Sequence, residues 1–436
     1  MPIIATMLPL QSLTGMEDAY LFLDWLKKNR QSGWLQLPIS ENVGTPYRNF
    51  GIGVDGYFFD TRLKKDRQAW MITRDTFLQQ NESWIFDYAL YKAISDFFGN
   101  DKWWEWPDEI KKRDRDNIHK LQRDLSTQIE GYLDEQYYLT NQLMLLKEEA
   151  TKKDLLMIGD LPFYIDQKSS LVWANQHCFL LSSDGELRIT SGVPKMKDEP
   201  FSEQVWNHPL YDWQDAGASE ILRVFEQRLL YMSQIYDMVR VDHANGFFRY
   251  GAIYPKNPSW NKKIDGPGID AATEFLSIVQ KFNLGLFFED IGSDTTKLEY
   301  FMKEYNIMGM KVMTLGINTD ATNDNGYENP ALFNLKNYDG NCVAFSSTHD
   351  TATLFGWIRS LTPEAKLRLQ MINGWGDNNL SDEQLAMKIR EGLIESKAKM
   401  VVIPWQDWHL ETFRYNVPGK EELSDWFYKI RIKDYM

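Results

Sequence analysis

Short apolar runs recur along the chain, and most stop abruptly at a charged or turn-forming residue. They are Ile3-Ile4-Ala5-Thr6-Met7-Leu8, Trp34-Leu35-Gln36-Leu37, Leu155-Leu156-Met157-Ile158, Met238-Val239-Arg240-Val241, Leu286-Phe287-Phe288, Gly309-Met310-Lys311-Val312-Met313, Cys342-Val343-Ala344-Phe345 and Met400-Val401-Val402-Ile403. Continuous rather than alternating hydrophobicity marks strands covered on both faces, as in a parallel sheet. Between the first two runs, Ala19, Phe22, Leu23 and Leu26 fall at helical spacing and predict a helix from about Met16 to Asn29. A second helix is predicted near Glu220 to Gln234, just before Met238. Strand, helix and strand with short connections imply a right-handed parallel crossover. Eight such strands with helices between them predict the α/β class, as a (β/α)8 TIM barrel whose site lies at the carboxyl ends of the strands. The alternative, an open doubly wound sheet, would carry a phosphate-binding G-x-G-x-x-G after its first strand, and none follows Leu8.

The pattern is not uniform. Residues 1–60 supply the first barrel strands, whereas 61–151 are polar and helical, with Trp84, Trp103, Trp104 and Trp106 among them, and predict an inserted helical subdomain. Residues 152–436 supply the rest of the barrel. They include a loop-rich insertion at about 166–215 that contains Pro194, Pro200 and Pro209.

Composition narrows the partners. The 436 residues carry a formal charge of −14, which disfavours nucleic acid, because phosphate binding is driven by Lys and Arg. The start lacks a basic n-region, and no apolar run reaches the ~20 residues needed to span a bilayer, so a cytoplasmic protein without a membrane partner is expected. Two cysteines, Cys178 and Cys342, are too few for a disulfide framework or a zinc cluster. The 16 tryptophans provide flat surfaces on which sugars or bases stack, although most will be core.

In the barrel reading, the strand ends present four carboxyls: Asp160, Asp242, Glu289 and Asp350. Two carboxyls flanking a glycosidic bond suffice for glycoside hydrolysis or transfer, one as nucleophile or base and the other as an acid of raised pKa. Glu289 follows two phenylalanines and precedes Asp290, which suits the acid. Asp242 lies one pleat from Arg240, which should hold it ionised and suits the nucleophile. His243 and His349 each adjoin one of these carboxyls, so a metal-dependent hydrolase is a rival. Neither H-x-H nor H-E-x-x-H is present, however, and no metal or other cofactor is expected. A G-x-S-x-G elbow and a Walker lysine loop are also missing.

These residues resemble those of the 4-α-glucanotransferases (amylomaltases, disproportionating enzymes), glycoside hydrolase family 77. Arg240-Val241-Asp242-His243 with Gly246-Phe247 is similar to the family's nucleophile segment, Glu289-Asp290-Ile291-Gly292 to its acid/base segment, and Thr348-His349-Asp350 to its third acidic segment. Gly159-Asp160-Leu161-Pro162, Val172-Trp173-Ala174-Asn175, Pro209-Leu210-Tyr211-Asp212-Trp213, Gly309-Met310-Lys311-Val312 and Asn416-Val417-Pro418-Gly419 agree as well. The resemblance implies retaining transfer of α-1,4-glucan segments between maltooligosaccharides or glucans. Asp242, Glu289 and Asp350 would be catalytic, and Tyr47, Asp160, Trp173, Arg240, His243 and His349 would contact substrate. Against the family pattern, the chain has Ala244-Asn245 in place of Phe-Arg, Thr351-Ala352 in place of Asn-Asp, and Arg48 in place of glutamine. A glucan-binding protein with weakened catalysis is the alternative.

Two geometric expectations follow. A retaining pair places Asp242 and Glu289 roughly 5–5.5 Å apart. Tyr47, in the loop Gly44-Thr45-Pro46-Tyr47 after the second strand, is the candidate aromatic platform for an acceptor sugar.

Overall fold

The computed structural model describes residues 2–56, 70–195, 203–292, 294–318, 327–376, 380–418 and 423–436. All eight apolar runs form strands: β1 (Ile3–Met7), β2 (Gly33–Leu35), β3 (Leu156–Leu161), β4 (Met238–Val241), β5 (Gly285–Phe288), β6 (Gly309–Val312), β7 (Cys342–Phe345) and β8 (Met400–Pro404). Each strand pairs in parallel with the next, and β8 returns to β1. The seam between β5 and β6 closes more thinly, through one bridge at Phe287 and Met308 and the bond from Phe288 N–H to Met308 O at 3.0 Å. Here a side chain completes the stitching, as Asp290 Oδ1 accepts from Met310 N–H at 2.7 Å.

Alternation along each strand divides the core. Ala5, Met7, Ile158, Phe287, Val343, Phe345 and Val402 fill the barrel interior. Met157, Val239, Val241 and Phe288 face outward to one helical layer, and Ala344, Val401 and Ile403 to another. The predicted helices are present as Met16–Lys28 and Ala218–Ile235.

Between β2 and β3 lie the helices Arg74–Gln80, Ile85–Phe98, Asp108–Lys111, Arg115–Asp124 and Ser126–Lys152. Their buried Trp84, Tyr88, Leu139 and Leu146 join the same apolar cluster as the outer faces of β3 and β4. The boundary read at 60/61 lies outside the described residues, as do Met1, Pro200 and Gly419.

The stretch read as loop-rich holds the strands Thr190–Val193 and Gln204–Pro209. Together with Arg249–Ile253 and Lys262–Asp265 they form a four-stranded antiparallel sheet beyond the end of β4. Close approach of Gly192 and Gly251 permits the central pairing, since a Cβ at Gly251 would stand 2.1 Å from Gly192 O. Among the described residues no helix is long and apolar enough to cross a membrane.

Candidate active site

Register brings the charged groups together. Asp160 on β3 lies opposite Arg240 on β4, and pairing continues past the strands as Asp242 N–H donates to Leu161 O and Glu289 N–H to Val241 O, both at 3.0 Å. Ile158 points into the barrel, so Asp160, two residues on, does too. Arg240 is 3% exposed. Its Nη1 lies 2.6 Å from Asp160 Oδ2 and 3.0 Å from Asp242 Oδ1, and its Nη2 lies 3.0 Å from Glu289 Oε2. One planar guanidinium therefore serves three carboxyls from three successive strands, a task its rigid fork of donors permits and an ammonium would not.

The turn after Asp242 locks Glu289. His243 takes a left-handed conformation, φ 46°, and its N–H donates to Glu289 Oε2 at 2.7 Å. Three residues later a Cβ at Gly246 would meet the Phe163 ring at 2.6 Å, so glycine is required by space.

Asp350 arrives from the loop after β7. Asn416 Nδ2 donates to its Oδ1 at 2.6 Å, Arg414 Nη2 to its carbonyl at 2.9 Å, and His349 Nε2 lies 3.0 Å from its Oδ2, although without hydrogen-bond alignment. The loop itself is clamped by Asp407, which is fully buried. Its Oδ2 accepts from Ser346 and Ser347 Oγ at 2.6 Å each, and its Oδ1 from Leu354 N–H at 2.7 Å.

Burial sets the protonation of these groups as much as charge does. It pushes Asp242 well above the usual carboxylate range, where Arg240 opposes it and the neighbouring Glu289 and Asp160 add to it. The expectation that Arg240 alone would hold Asp242 ionised is thus corrected, because it omitted desolvation and the second carboxylate. Burial would raise Asp350 too, but His349, Asn416 and Arg240 bring it down to about 2. His208, buried and near Arg48, is pushed down to about 3 and stays neutral. Its Nε2 lies 3.0 Å from Tyr47 O, and its Nδ1 lies 3.2 Å from Ser191 Oγ.

Asp242 and Glu289 are neighbours on one guanidinium, each with a carboxyl oxygen 3.0 Å from a different nitrogen of Arg240. Glu289 is thus held by both Arg240 and the His243 N–H in this structure.

Of the residues named from sequence, Tyr47, Arg240, Asp242, His243, Glu289 and Asp350 line one cavity of about 780 Å³. Asp160 and His349 support it from behind. Tyr47 donates to Asp160 Oδ2 and accepts from Arg240 Nη1 at 3.1 Å, while its ring lies flat on His349 with centroids 4.8 Å apart and planes at 15°. One face of the ring is therefore covered.

Trp173 is a correction. It is fully buried between Tyr91 and Trp106, with Arg113 over its ring and its indole N–H on Ile110 O at 3.3 Å, and it is absent from the cavity wall. The residue is core, not a substrate contact.

Sequence reasoning passed over Trp206, Tyr164, Asn416 and Trp426, which line the same cavity. Trp206 stands edge-on to His243, with centroids 5.0 Å apart. The departures from the family pattern fall here as well. Asn245 lines the cavity with Nδ2 at 3.4 Å from Asp294 O, and Thr351 Oγ1 accepts from Thr348 N–H at 2.9 Å within the Asp350 loop. Among the described residues no group of three or more His, Cys, Asp or Glu is placed to hold a metal ion.

Comparison with known proteins gives the family. The family model for 4-alpha-glucanotransferases, glycoside hydrolase family 77, matches residues 56–433. The chain belongs to that family. A 4-alpha-glucanotransferase of Clostridium butyricum is 30% identical over 390 residues, covering 78% of this chain and 77% of its own. One from Thermus thermophilus is 28% identical over 374 residues, covering 84% and 69%. The fold matches that of an amylomaltase from Streptococcus agalactiae, solved in complex with acarbose, with a TM-score of 0.84 at 23% identity over 100% of this chain and 96% of the other.

Proposed function

We propose that this family 77 member transfers α-1,4-glucan segments between maltooligosaccharides or glucans, with Asp242 as nucleophile, Glu289 as acid and base, and Asp350 as the group that steadies the transition state. The reading rests on one observation: Asp242 and Glu289 share the buried Arg240 at the base of a cavity that Asp350 completes.

The chemistry follows from the contacts. A glucan binds with its scissile bond between the two carboxyls, Asp242 acting as the attacking carboxylate beside Arg240 and Glu289 as the proton donor. The Asp242 oxygen bonds to the anomeric carbon as Glu289 gives its proton to the departing glycosidic oxygen, which leaves a glycosyl ester on Asp242. Asp350 keeps its charge at any ordinary pH and stabilises the positive charge that builds on the ring in both steps. The 4-hydroxyl of an acceptor then loses its proton to Glu289 and attacks the same carbon, and Asp242 is released. Transfer wins over hydrolysis when a wall of the cavity aligns the acceptor. Trp206, partly exposed and edge-on to His243, supports that role.

We place the enzyme in the cytoplasm, consistent with Cys178 and Cys342 as buried free thiols. Incubation with maltotriose tests the function. Glucose together with a ladder of longer and shorter products supports transfer, glucose and maltose alone would mean hydrolysis, and binding without products would leave a glucan-binding protein. Loss of activity in EDTA would revive the metal-dependent reading.

A further inference from the structure

A strand pair runs outward from the cavity wall to an exposed indole. Arg249, Tyr250, Gly251 and Lys263 line the cavity. Gly251 pairs with Lys263 and Ala252 with Lys262, and at the outer end of this hairpin Trp260 is 60% exposed. Lys263 follows Trp260 by three positions, roughly 10 Å of extended chain.

The indole is held in place. The Tyr254 ring meets the indole edge-on with centroids 5.8 Å apart, and the turn that carries it is closed by backbone bonds from Trp260 N–H to Asn257 O and from Asn257 N–H to Tyr254 O, both at 2.9 Å. Asn261 ties the tip to the rim. Its Oδ1 accepts from Tyr254 N–H at 2.7 Å, and its Nδ2 donates to Oε1 of Glu203, itself a cavity residue, at 2.6 Å.

An exposed ring fixed in advance binds with little loss of conformational freedom. The surroundings select its occupant. Lys256, Asn257, Ser259 and Lys262 are exposed around it together with Pro255 and Pro258, so the ring stands on a small, mostly hydrogen-bonding surface rather than in a broad apolar patch. Flat apolar surface bordered by hydroxyl-binding groups is the chemistry of a sugar ring.

We propose that Trp260, backed by Tyr254, is an outer platform for the part of an α-glucan chain that extends beyond the cavity. The assignment rests on the transferase reading for the identity of the chain and adds a second point of attachment to it. Long glucans reach both the catalytic centre and the platform, whereas maltotriose in the centre is too short to do so.

The test compares substrates on the full chain. In Trp260→Ala the ratio of kcat/KM on glycogen to that on maltotriose falls about tenfold, the loss of one contact of ordinary strength, and Trp260→Phe recovers part of it. Native gels cast with glycogen supply a readout free of turnover, in which retardation of the wild type is reduced in Trp260→Ala. An unchanged ratio with unchanged retardation overturns the platform, and so does an equal loss on both substrates. Absence of any transfer by the wild type would instead refute the catalytic reading, and retardation would still decide the platform. If Trp260→Ala abolished capture of a protein while glycogen retardation stayed intact, the surface would be a protein site and the proposal wrong.

Discussion

Asp160 and Arg240 form an ion pair sealed from solvent, 2.6 Å apart, with side chains 0% and 3% exposed. Two consequences can be measured. Asp160→Ala removes a buried acceptor of Arg240 and Tyr47, and because Asp242 and Glu289 still pair Arg240 it should cost about 1–3 kcal/mol in urea unfolding. Asp160→Asn keeps the shape but removes a charge that raises Asp242. The acid limb of kcat/KM should therefore move to lower pH in this variant, and a limb that stays or moves up would contradict the coupling.

Tyr47 and Trp206 exchange the roles that sequence suggested. Tyr47 has one face on His349 and its hydroxyl tied to Asp160, whereas Trp206 stands freer on the wall. Trp206→Ala should raise the hydrolysed fraction of maltotriose by roughly fivefold, as the acceptor loses alignment. Reducing ends measured against transfer products give the ratio. If Tyr47→Phe raised it more than Trp206→Ala did, the assignment would be reversed.

Asp407 lies at the centre of the clamp on the Asp350 loop. An amide there cannot accept at both oxygen positions, so Asp407→Asn leaves either the two serines or Leu354 N–H without its acceptor. We expect kcat to fall by roughly tenfold to a hundredfold with KM little changed, because a displaced Asp350 weakens the transition state more than the bound substrate. Steady-state kinetics on maltotriose check the split. A change confined to KM would mean that the clamp positions substrate instead.

Stability should depend on pH in a direction set by buried acids. Burial pushes Asp290 and Asp407 up to about 6 each, whereas in the unfolded chain they titrate near ~3.9. Between those values the folded protein holds protons that the unfolded chain has released. Their contribution is therefore largest below ~4 and is lost as pH rises through about 6. Asp350, down at about 2, works the other way, and its contribution is lost as pH falls from ~4 to about 2. Thermal unfolding should occur a few degrees higher at pH 5.5 than at pH 8, with a smaller difference in Asp290→Asn. Equal midpoints would show that these protons are not retained.

The barrel was legible because strands covered on both faces are largely apolar, as Cys342 to Phe345 is throughout and Met238 to Val241 is but for Arg240. The acids were legible for the complementary reason, as charge directly after such a run has to face a cavity. The antiparallel sheet was not. Its strand Gln204–Pro209 is half exposed and polar, like a loop. Asn416 meets Asp350 across 66 residues, a distance no local pattern spans. Trp173 was misread because tryptophan serves core and sugar site alike, and only burial tells them apart. Asp242 shows the limit of pairwise charge reasoning, since Arg240 was visible in the sequence and the dry surroundings were not.

The thin seam between β5 and β6 gives the barrel a mechanical asymmetry. A hoop fastened all round but for one clasp yields at the clasp. Strand β4, which leads into Asp242, is laced along its length to β3 and β5, whereas β5, which leads into Glu289, is laced on one side and clasped on the other by a single bridge and the Asp290 side chain. Displacement at the end of β5 breaks fewer backbone bonds than displacement at the end of β4. In the proposed reaction the nucleophile is thus mounted on the stiff part of the hoop, and the group that serves first the leaving oxygen and then the acceptor on the compliant part.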